Sequence, residues 1–247
     1  MQTEEVEPGS VSDAPQSSLM SVRRPSDRVV LGFLVGITMA LVVGDMVSRA
    51  LGDDIGERLS LDAEASLPAW WASTQLLILA VTLAIVALRA SQEGERDVAR
   101  AVNVFSLAAI YFSIDEAVAI HEGITKMFVR LGWGTPFAGD HGVWIIVYAV
   151  VGVIVMIYAG RGAMRLLRLD RANSLLLLAG GLLFVLGGVG IEIIGYFEPS
   201  RSVVTLEEAL EFLGIGVAVW ASYRMLEGTT ILAPSSLGNG AVPDTTA

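Results

Sequence analysis

Six apolar segments, each long enough to cross a bilayer, constrain the fold of this 247-residue chain more than any other feature. A helix needs about 20 apolar residues to span a hydrocarbon core roughly 30 Å thick, and helices are required because backbone groups facing lipid must be paired. The predicted spans are residues 29–51, 69–90, 101–122, 142–160, 173–197 and 206–226. The sequence therefore predicts an all-α, polytopic membrane helix bundle with six transmembrane helices.

The chain outside these spans is short or polar. Residues 1–28 are rich in serine, proline and acidic residues, and we expect them to form a disordered cytoplasmic tail. Residues 227–247 are expected to form a second disordered cytoplasmic tail. Because every loop between the spans is short, residues 29–226 are predicted to be one six-helix domain.

Composition excludes several classes of function. The sequence has no cysteine, which excludes disulfides, thiolate metal sites and cysteine nucleophiles. Its net charge of −10 argues against nucleic acid as a partner, because phosphate binding needs clusters of lysine and arginine. Hydrophobic residues make up 53% of the chain and charged residues only 17%, which leaves the lipid bilayer as the expected surroundings.

The distribution of basic residues predicts the orientation, because cytoplasmic loops carry an excess of lysine and arginine. Eleven of the 16 basic residues fall on the side that holds both termini, so both termini are predicted to be cytoplasmic and the protein to lie in a bacterial inner membrane. These eleven are Arg23, Arg24, Arg28, Arg89, Arg96, Arg100, Arg161, Arg165, Arg168, Arg171 and Arg224.

Acidic residues collect at the opposite, outer side. The sequence SIDEAVAIHE (113–122) closes the third span with three carboxylates and a histidine. Glu192 lies near the outer end of the fifth span, and Glu207, Glu208 and Glu211 lie at the outer start of the sixth. At about 100° per residue, one helix is expected to offer two or three of its four polar groups to a single centre, but not all four.

Carboxylates in a low-dielectric layer must be protonated or accompanied by a cation. Carboxylates with an imidazole suit a divalent metal, namely zinc, manganese or iron, or calcium if only oxygens bind. The predicted metal ligands are Asp115, Glu116, His121, Glu122, Glu192, Glu208 and Glu211.

Plain structural readings compete with this prediction. The motif TLEE (205–208) matches a capping box, in which Thr205 would start the last helix and Glu208 would only cap it. Asp45 and Arg49 are spaced to form a local ion pair on one helix. His141, at the start of the fourth span, has a plain reading as well: it would lie at the membrane interface without binding a metal.

Two elements, IDEAVAIHE (114–122) and LEEALEFLG (206–214), resemble those of a group of small bacterial multi-span membrane proteins of unknown function. Those proteins carry an LDEA-x-x-x-HE-like and an LEE-x-LE-x-LG-like element, and this sequence differs in having Ile114 and Phe212. The resemblance implies a shared acidic site without naming a reaction. A more distant resemblance is to ceramidase-type membrane hydrolases, which hold zinc with several histidines, whereas this sequence has only His121 and His141.

Three functions remain open from the sequence. The first is a metal-binding membrane protein with its site in the outer leaflet, which includes the case of a metal-dependent enzyme that acts on a lipid or another membrane-associated substrate. The second is a cation or proton-coupled transporter that uses the same acids. The third is a noncatalytic membrane partner protein in which the carboxylates only hold helices together.

Overall fold

The computed structural model describes residues 25–51, 58–61, 63, 66–133 and 142–228, and these residues are helical with no β-strand. Most of both predicted tails, residues 1–24 and 229–247, lies outside the described residues. The elements are α1 (Asp27–Leu51), α2 (Leu67–Gln92), α3 (Arg96–Val118), α4 (Ile120–Arg130), α5 (Val143–Leu169), α6 (Arg171–Val185), a π-helical segment (Leu186–Ile191), α7 (Glu192–Phe197) and α8 (Arg201–Glu227).

Side-chain caps mark where three of these helices begin. The Ser66 hydroxyl accepts a hydrogen bond from the backbone N–H of Ala69 and so caps α2. Asp170 caps α6 in the same way through the N–H of Asn173, and Ser200 caps α8. Each cap pairs a backbone donor that has no partner inside the helix.

Contacts between helix termini define one end of the bundle, which we call the Arg-rich end. Arg89, near the end of α2, donates to the carbonyl of Leu226 at the end of α8 with a separation of 2.6 Å. Tyr223 of α8 donates to the carbonyl of Pro25, just before α1, also at 2.6 Å. The start of α1 and the ends of α2 and α8 therefore meet at this end.

The opposite end, which we call the acidic end, is defined in the same way. Arg49, near the end of α1, donates to the Thr205 hydroxyl near the start of α8. Tyr148, near the start of α5, donates to a carboxylate oxygen of Asp115 near the end of α3, at 3.0 Å. These contacts confirm that groups far apart in the sequence share one layer of the bundle.

The core packs around α2, between α1, α3 and α8, and its residues Leu83, Phe212 and Ile215 are almost completely buried. A close helix contact joins α6 to α8, where a Cβ added at Gly180 would lie 2.6 Å from the carbonyl oxygen of Gly214. Because any side chain would clash there, the two glycines set how closely these helices approach.

Five of the described helices are long and apolar enough to cross a membrane: Asp27–Arg49, Leu67–Gln92, Arg96–Val118, Val143–Leu169 and Arg171–Phe197. They correspond to the first five predicted spans. The third ends at Val118, four residues earlier than predicted, and the fourth continues nine residues beyond its predicted end at residue 160. The last helix, α8, is 27 residues long but is not among the five.

Candidate functional site

A cavity of about 570 Å³ lies at the acidic end, bounded by residues of α3, α4, α5, the α6–α7 helix and α8. None of its lining residues, within the described part of the chain, is a lysine or an arginine. All seven predicted site residues line it, and their role as metal ligands stays a prediction. They are Asp115, Glu116, His121, Glu122, Glu192, Glu208 and Glu211.

A break in the third span changes which groups face this cavity. Ala119 adopts the left-handed conformation (φ 52°, ψ 51°) and separates α3 from α4. This conformation is strained for a residue with a side chain. The prediction treated residues 101–122 as one helix. The chain instead turns at Ala119, and the four polar groups on α3 and on α4 all line one cavity.

The Asp115 carboxylate stabilises this break by bonding to a residue on its far side. One oxygen of its carboxylate accepts a hydrogen bond from the backbone N–H of His121 at 2.8 Å and lies 3.1 Å from Nδ1 of the same residue. The other oxygen accepts from the Tyr148 hydroxyl. Asp115 is only 6% exposed. Its carboxylate accepts hydrogen bonds from α4 and α5 and therefore links both helices to α3.

His121 is the basic partner in this arrangement. Burial lowers the pKa of His121, but the hydrogen bond and the negative charge of Asp115, with smaller contributions from Glu192 and Glu116, outweigh burial, so the pKa is raised. The imidazole ring also packs edge-to-face on Trp144, with 5.4 Å between ring centroids. The cavity thus favours a protonated His121.

Glu192 is positioned by two aromatic donors. The Tyr196 hydroxyl, one turn later on α7, donates to its carboxylate, and the indole N–H of Trp144 approaches the same oxygen at 3.4 Å. Glu192 therefore lies on the wall between α5 and α7.

Glycines in the π-helical segment bring the acids of α8 against this wall. A Cβ added at Gly188 would lie 2.7 Å from Oε1 of Glu211, and one at Gly187 would lie 2.8 Å from the carbonyl oxygen of Glu207. π-Helical turns are rare and often occur at functional sites. These glycines therefore let the π-helical segment lie directly against α8.

Four neighbouring glutamates lie close enough to Glu211 for their charges to act on it. Two of them, Glu207 and Glu208, belong to α8 itself. The other two, Glu116 and Glu192, belong to α3 and α7. The convergence is therefore between helices and does not arise within α8 alone.

The capping-box reading of TLEE was wrong. Helix α8 begins at Arg201 and is capped by Ser200, so Thr205 lies inside the helix and its hydroxyl donates to the carbonyl of Arg201. Glu208 is consequently two turns inside α8, where it lines the cavity instead of capping the helix.

Two predicted acids have local basic partners. The predicted ion pair of Asp45 and Arg49 is confirmed, with 2.5 Å between Oδ2 and Nη2. Glu122 pairs with Lys126 one turn later on α4, so this acid of the cavity has a basic partner on its own helix. Asp140 and His141 lie outside the described residues.

The described residues contain no group of three or more histidine, aspartate or glutamate side chains close enough to hold a metal ion. The acids are spread over the walls of the cavity, while a metal ion needs its donors within about 2.0–2.6 Å.

Aromatic residues form part of the site that sequence reasoning missed. Phe112, Tyr148 and Phe184 line the cavity together with Trp144, and their rings pack edge-to-face with centroids 5.2–5.9 Å apart. Nothing in the sequence separates them from other aromatic residues in apolar spans.

The fold and this cavity define a class of protein: a helical multi-pass membrane protein with an acid-lined cavity at one end of its bundle. Residues 21–225 match the domain of unknown function DUF8692, and the chain belongs to that family. No curated protein and no solved structure matches the chain.

Proposed function

We propose that this protein binds a cation in its acid-lined cavity. One observation carries the proposal: carboxylates from α3, α4, α7 and α8 line the same space, and no lysine or arginine among the described residues lines it with them. Carboxylates gathered in one low-dielectric space favour a cationic guest. His121 pairs with Asp115 and Lys126 pairs with Glu122, and a cationic guest would add positive charge beside the glutamates of α3, α7 and α8.

Size and wall chemistry favour an organic ammonium ion as the guest. The volume of about 570 Å³ is typical of a small-molecule site and far exceeds the space around one metal ion. Aromatic faces attract ammonium groups, and Trp144, Tyr148 and Phe112 provide such faces beside Glu192 and Glu211.

The predicted divalent metal remains the second guest. Carboxylate oxygens with an imidazole suit zinc, manganese, iron or calcium. A metal bound there would activate water against a lipid carbonyl, as a metal-dependent membrane enzyme does. The scatter of the described donors makes this guest the weaker proposal.

Exposed residues among the cavity lining support a membrane-associated guest. Ala149 and Gly152 of α5 and Val185 of α6 line the cavity and are exposed. We place this side of the cavity against lipid, where an amphiphilic amine would enter sideways with its head group toward Glu192 and Glu211.

We further propose that α8 crosses the membrane as a sixth span. Its 27 residues correspond to roughly 40 Å, and it touches partners at both the Arg-rich end and the acidic end. With the Arg-rich end in the cytoplasm, both termini are cytoplasmic and the cavity lies in the outer leaflet of a bacterial inner membrane.

Transport is supported less well than binding or catalysis. Between the cavity and the Arg-rich end, the described core is filled by apolar side chains such as Leu83, Val86 and Val219. A cation that leaves the cavity in that direction would meet no carboxylate on these walls.

The test is cation-dependent stability of the purified protein in detergent. Hexyltrimethylammonium should raise the unfolding temperature in proportion to the logarithm of its concentration above the dissociation constant. Glu192→Gln and Glu211→Gln should each weaken this shift, whereas Glu198→Gln, which changes an exposed acid outside the cavity, should not.

Elemental analysis and titration with zinc, manganese, iron and calcium form the second arm. Stoichiometric metal that is lost in Glu211→Gln would select the metal guest. Equal responses of the parent protein and both cavity variants to every cation would remove the proposal and leave the carboxylates with a structural role.

A further inference from the structure

A second concave site lies at the Arg-rich end, far from the cavity. It is a cleft of about 360 Å³ lined by Arg161, Arg165 and Arg168 of α5, with Asp97 of α3 and Leu169. The three arginines are spaced i, i+4 and i+7, which places them on one face of the helix. We call this site the arginine cleft.

Close packing of α5 on α3 builds the cleft. A Cβ added at Gly162 would clash with the backbone carbonyl of Asp97 and would lie 2.6 Å from the Cβ of Ala101. Gly162 thus lets the end of α5 lie directly against the start of α3. The arginines on both sides of this contact are held beside the first turn of α3.

The charge of the cleft is incompletely balanced. Arg165 pairs with Glu95, and Asp97 lies 3.7 Å from Arg100. No described residue forms an ion pair or a hydrogen bond with the guanidinium group of Arg161 or of Arg168, and both side chains are exposed. Two guanidinium groups in one cleft are therefore available to an anion.

Lipid-facing surface adjoins the cleft. On the turns of α5 just before it, Ile154 and Ile157 are 61% and 78% exposed, and Leu169 contributes an apolar side chain to the cleft itself. An anion with acyl chains could place its head group between the arginines and lay its chains along α5. A free anion would use the guanidinium groups and leave this apolar surface without a role.

We infer that the arginine cleft binds the phosphodiester head group of an anionic phospholipid. Guanidinium groups form paired hydrogen bonds with phosphate oxygens, and basic pockets between membrane helices commonly hold anionic head groups. The inference is independent of the cation site, because it concerns other residues at the other end of the bundle.

The experiment measures lipid binding by native mass spectrometry of the full-length protein in neutral detergent. Phosphatidylglycerol is titrated against the parent protein, against the double variant Arg161→Gln, Arg168→Gln and against a matched double variant Arg28→Gln, Arg171→Gln. The matched variant removes the same charge from exposed positions at the same end but outside the cleft. Phosphatidylcholine and inorganic phosphate are titrated in parallel.

We expect the cleft variant to bind phosphatidylglycerol about tenfold or more weakly than the parent, since each arginine near a lipid surface contributes substantially to anionic lipid binding. The matched variant should lose less than about threefold, because it retains the cleft. If the double variant does not fold, Arg168→Gln alone should bind about threefold or more weakly.

Three results would overturn the inference. Equal losses in the two double variants would show that only general surface charge matters. Binding of phosphatidylcholine as tight as that of phosphatidylglycerol would show that the cleft does not distinguish lipids by the net charge of their head groups. Displacement of the lipid by inorganic phosphate at equal concentration would show that the phosphate group is bound without its lipid.

Discussion

Two acidic sites lie side by side at the acidic end, and they differ in the basic groups that accompany their carboxylates. Asp45 is fully buried and has its own cation, since Arg49 contacts both of its carboxylate oxygens. The backbone N–H of Leu61 approaches the same carboxylate at 3.3 Å. The neighbouring cavity gathers acids from several helices with no lysine or arginine among its described lining residues.

The difference teaches how to separate a structural acid from a functional one in a membrane bundle. A buried charge with a dedicated partner on its own helix is explained by folding alone. Acids that share a cavity with aromatic walls, and whose charges act on one another, are the ones for which we propose a guest. The following predictions test this division.

The largest effect is expected from breaking the structural pair. Arg49→Ala should destabilise the protein by about 3–5 kcal/mol, because it leaves the Asp45 carboxylate buried and unpaired. Chemical unfolding of the purified protein in detergent measures this change. Arg201→Ala, which removes an exposed arginine at the same end, serves as the control. Similar stability for both variants would contradict the structural role of Asp45.

The close contact between α6 and α8, which holds the acids of α8 against the cavity, comes next. Gly214→Ala should destabilise the protein by about 1–3 kcal/mol, because the new methyl group would lie 2.7 Å from the carbonyl oxygen of Gly180. Gly181→Ala is the matched control, since nothing lies within 4 Å of its added Cβ. That control should be neutral or stabilising, and unfolding curves compare the two.

A cavity acid should behave in the opposite way from Asp45. In the absence of an added cation, Glu211→Gln should stabilise the protein by about 1 kcal/mol, because it removes one of several carboxylates that act on each other. The same substitution should weaken stabilisation by the cationic guest. A loss of stability as large as that of Arg49→Ala would show that Glu211 has a structural role, as Asp45 does.

The smallest effect concerns His121, the one group that can carry a positive charge among the described residues lining the cavity. Its pKa is raised in the folded protein above the usual value of 6.5, so protonation favours the folded state. The stabilising contribution is complete below pH 6.5 and is lost as pH rises through the raised pKa. Unfolding temperatures of the parent and of His121→Gln should therefore differ most at acidic pH and converge at alkaline pH.

Much of the site could be predicted from residue type and depth. Burying acids such as Glu192 and Glu211 in apolar spans is costly in any tertiary arrangement, so their positions alone indicated a shared layer. Ion pairing of Asp45 with Arg49 was equally local, because it depends on a four-residue spacing within one helix. Both inferences rest on physics that acts within a single segment.

The remainder depended on contacts between segments. Helix periodicity could not anticipate the left-handed turn at Ala119, which is held by the Asp115 carboxylate on the N–H of His121. It also could not place the start of α8 at Arg201, because Ser200 and Thr205 are both acceptable caps in sequence and only the packed chain chooses between them.

The sequence by itself determined that this chain is a helical membrane protein with a cluster of acids at one end and most of its arginines at the other, because hydropathy and charge act through the surrounding solvent and need no partner. Tertiary structure alone decided that those acids enclose a cavity with aromatic walls and that three arginines line a cleft. Both arrangements depend on glycine contacts between helices, at Gly162, Gly188 and Gly214, where only the absence of a side chain allows the backbones to meet.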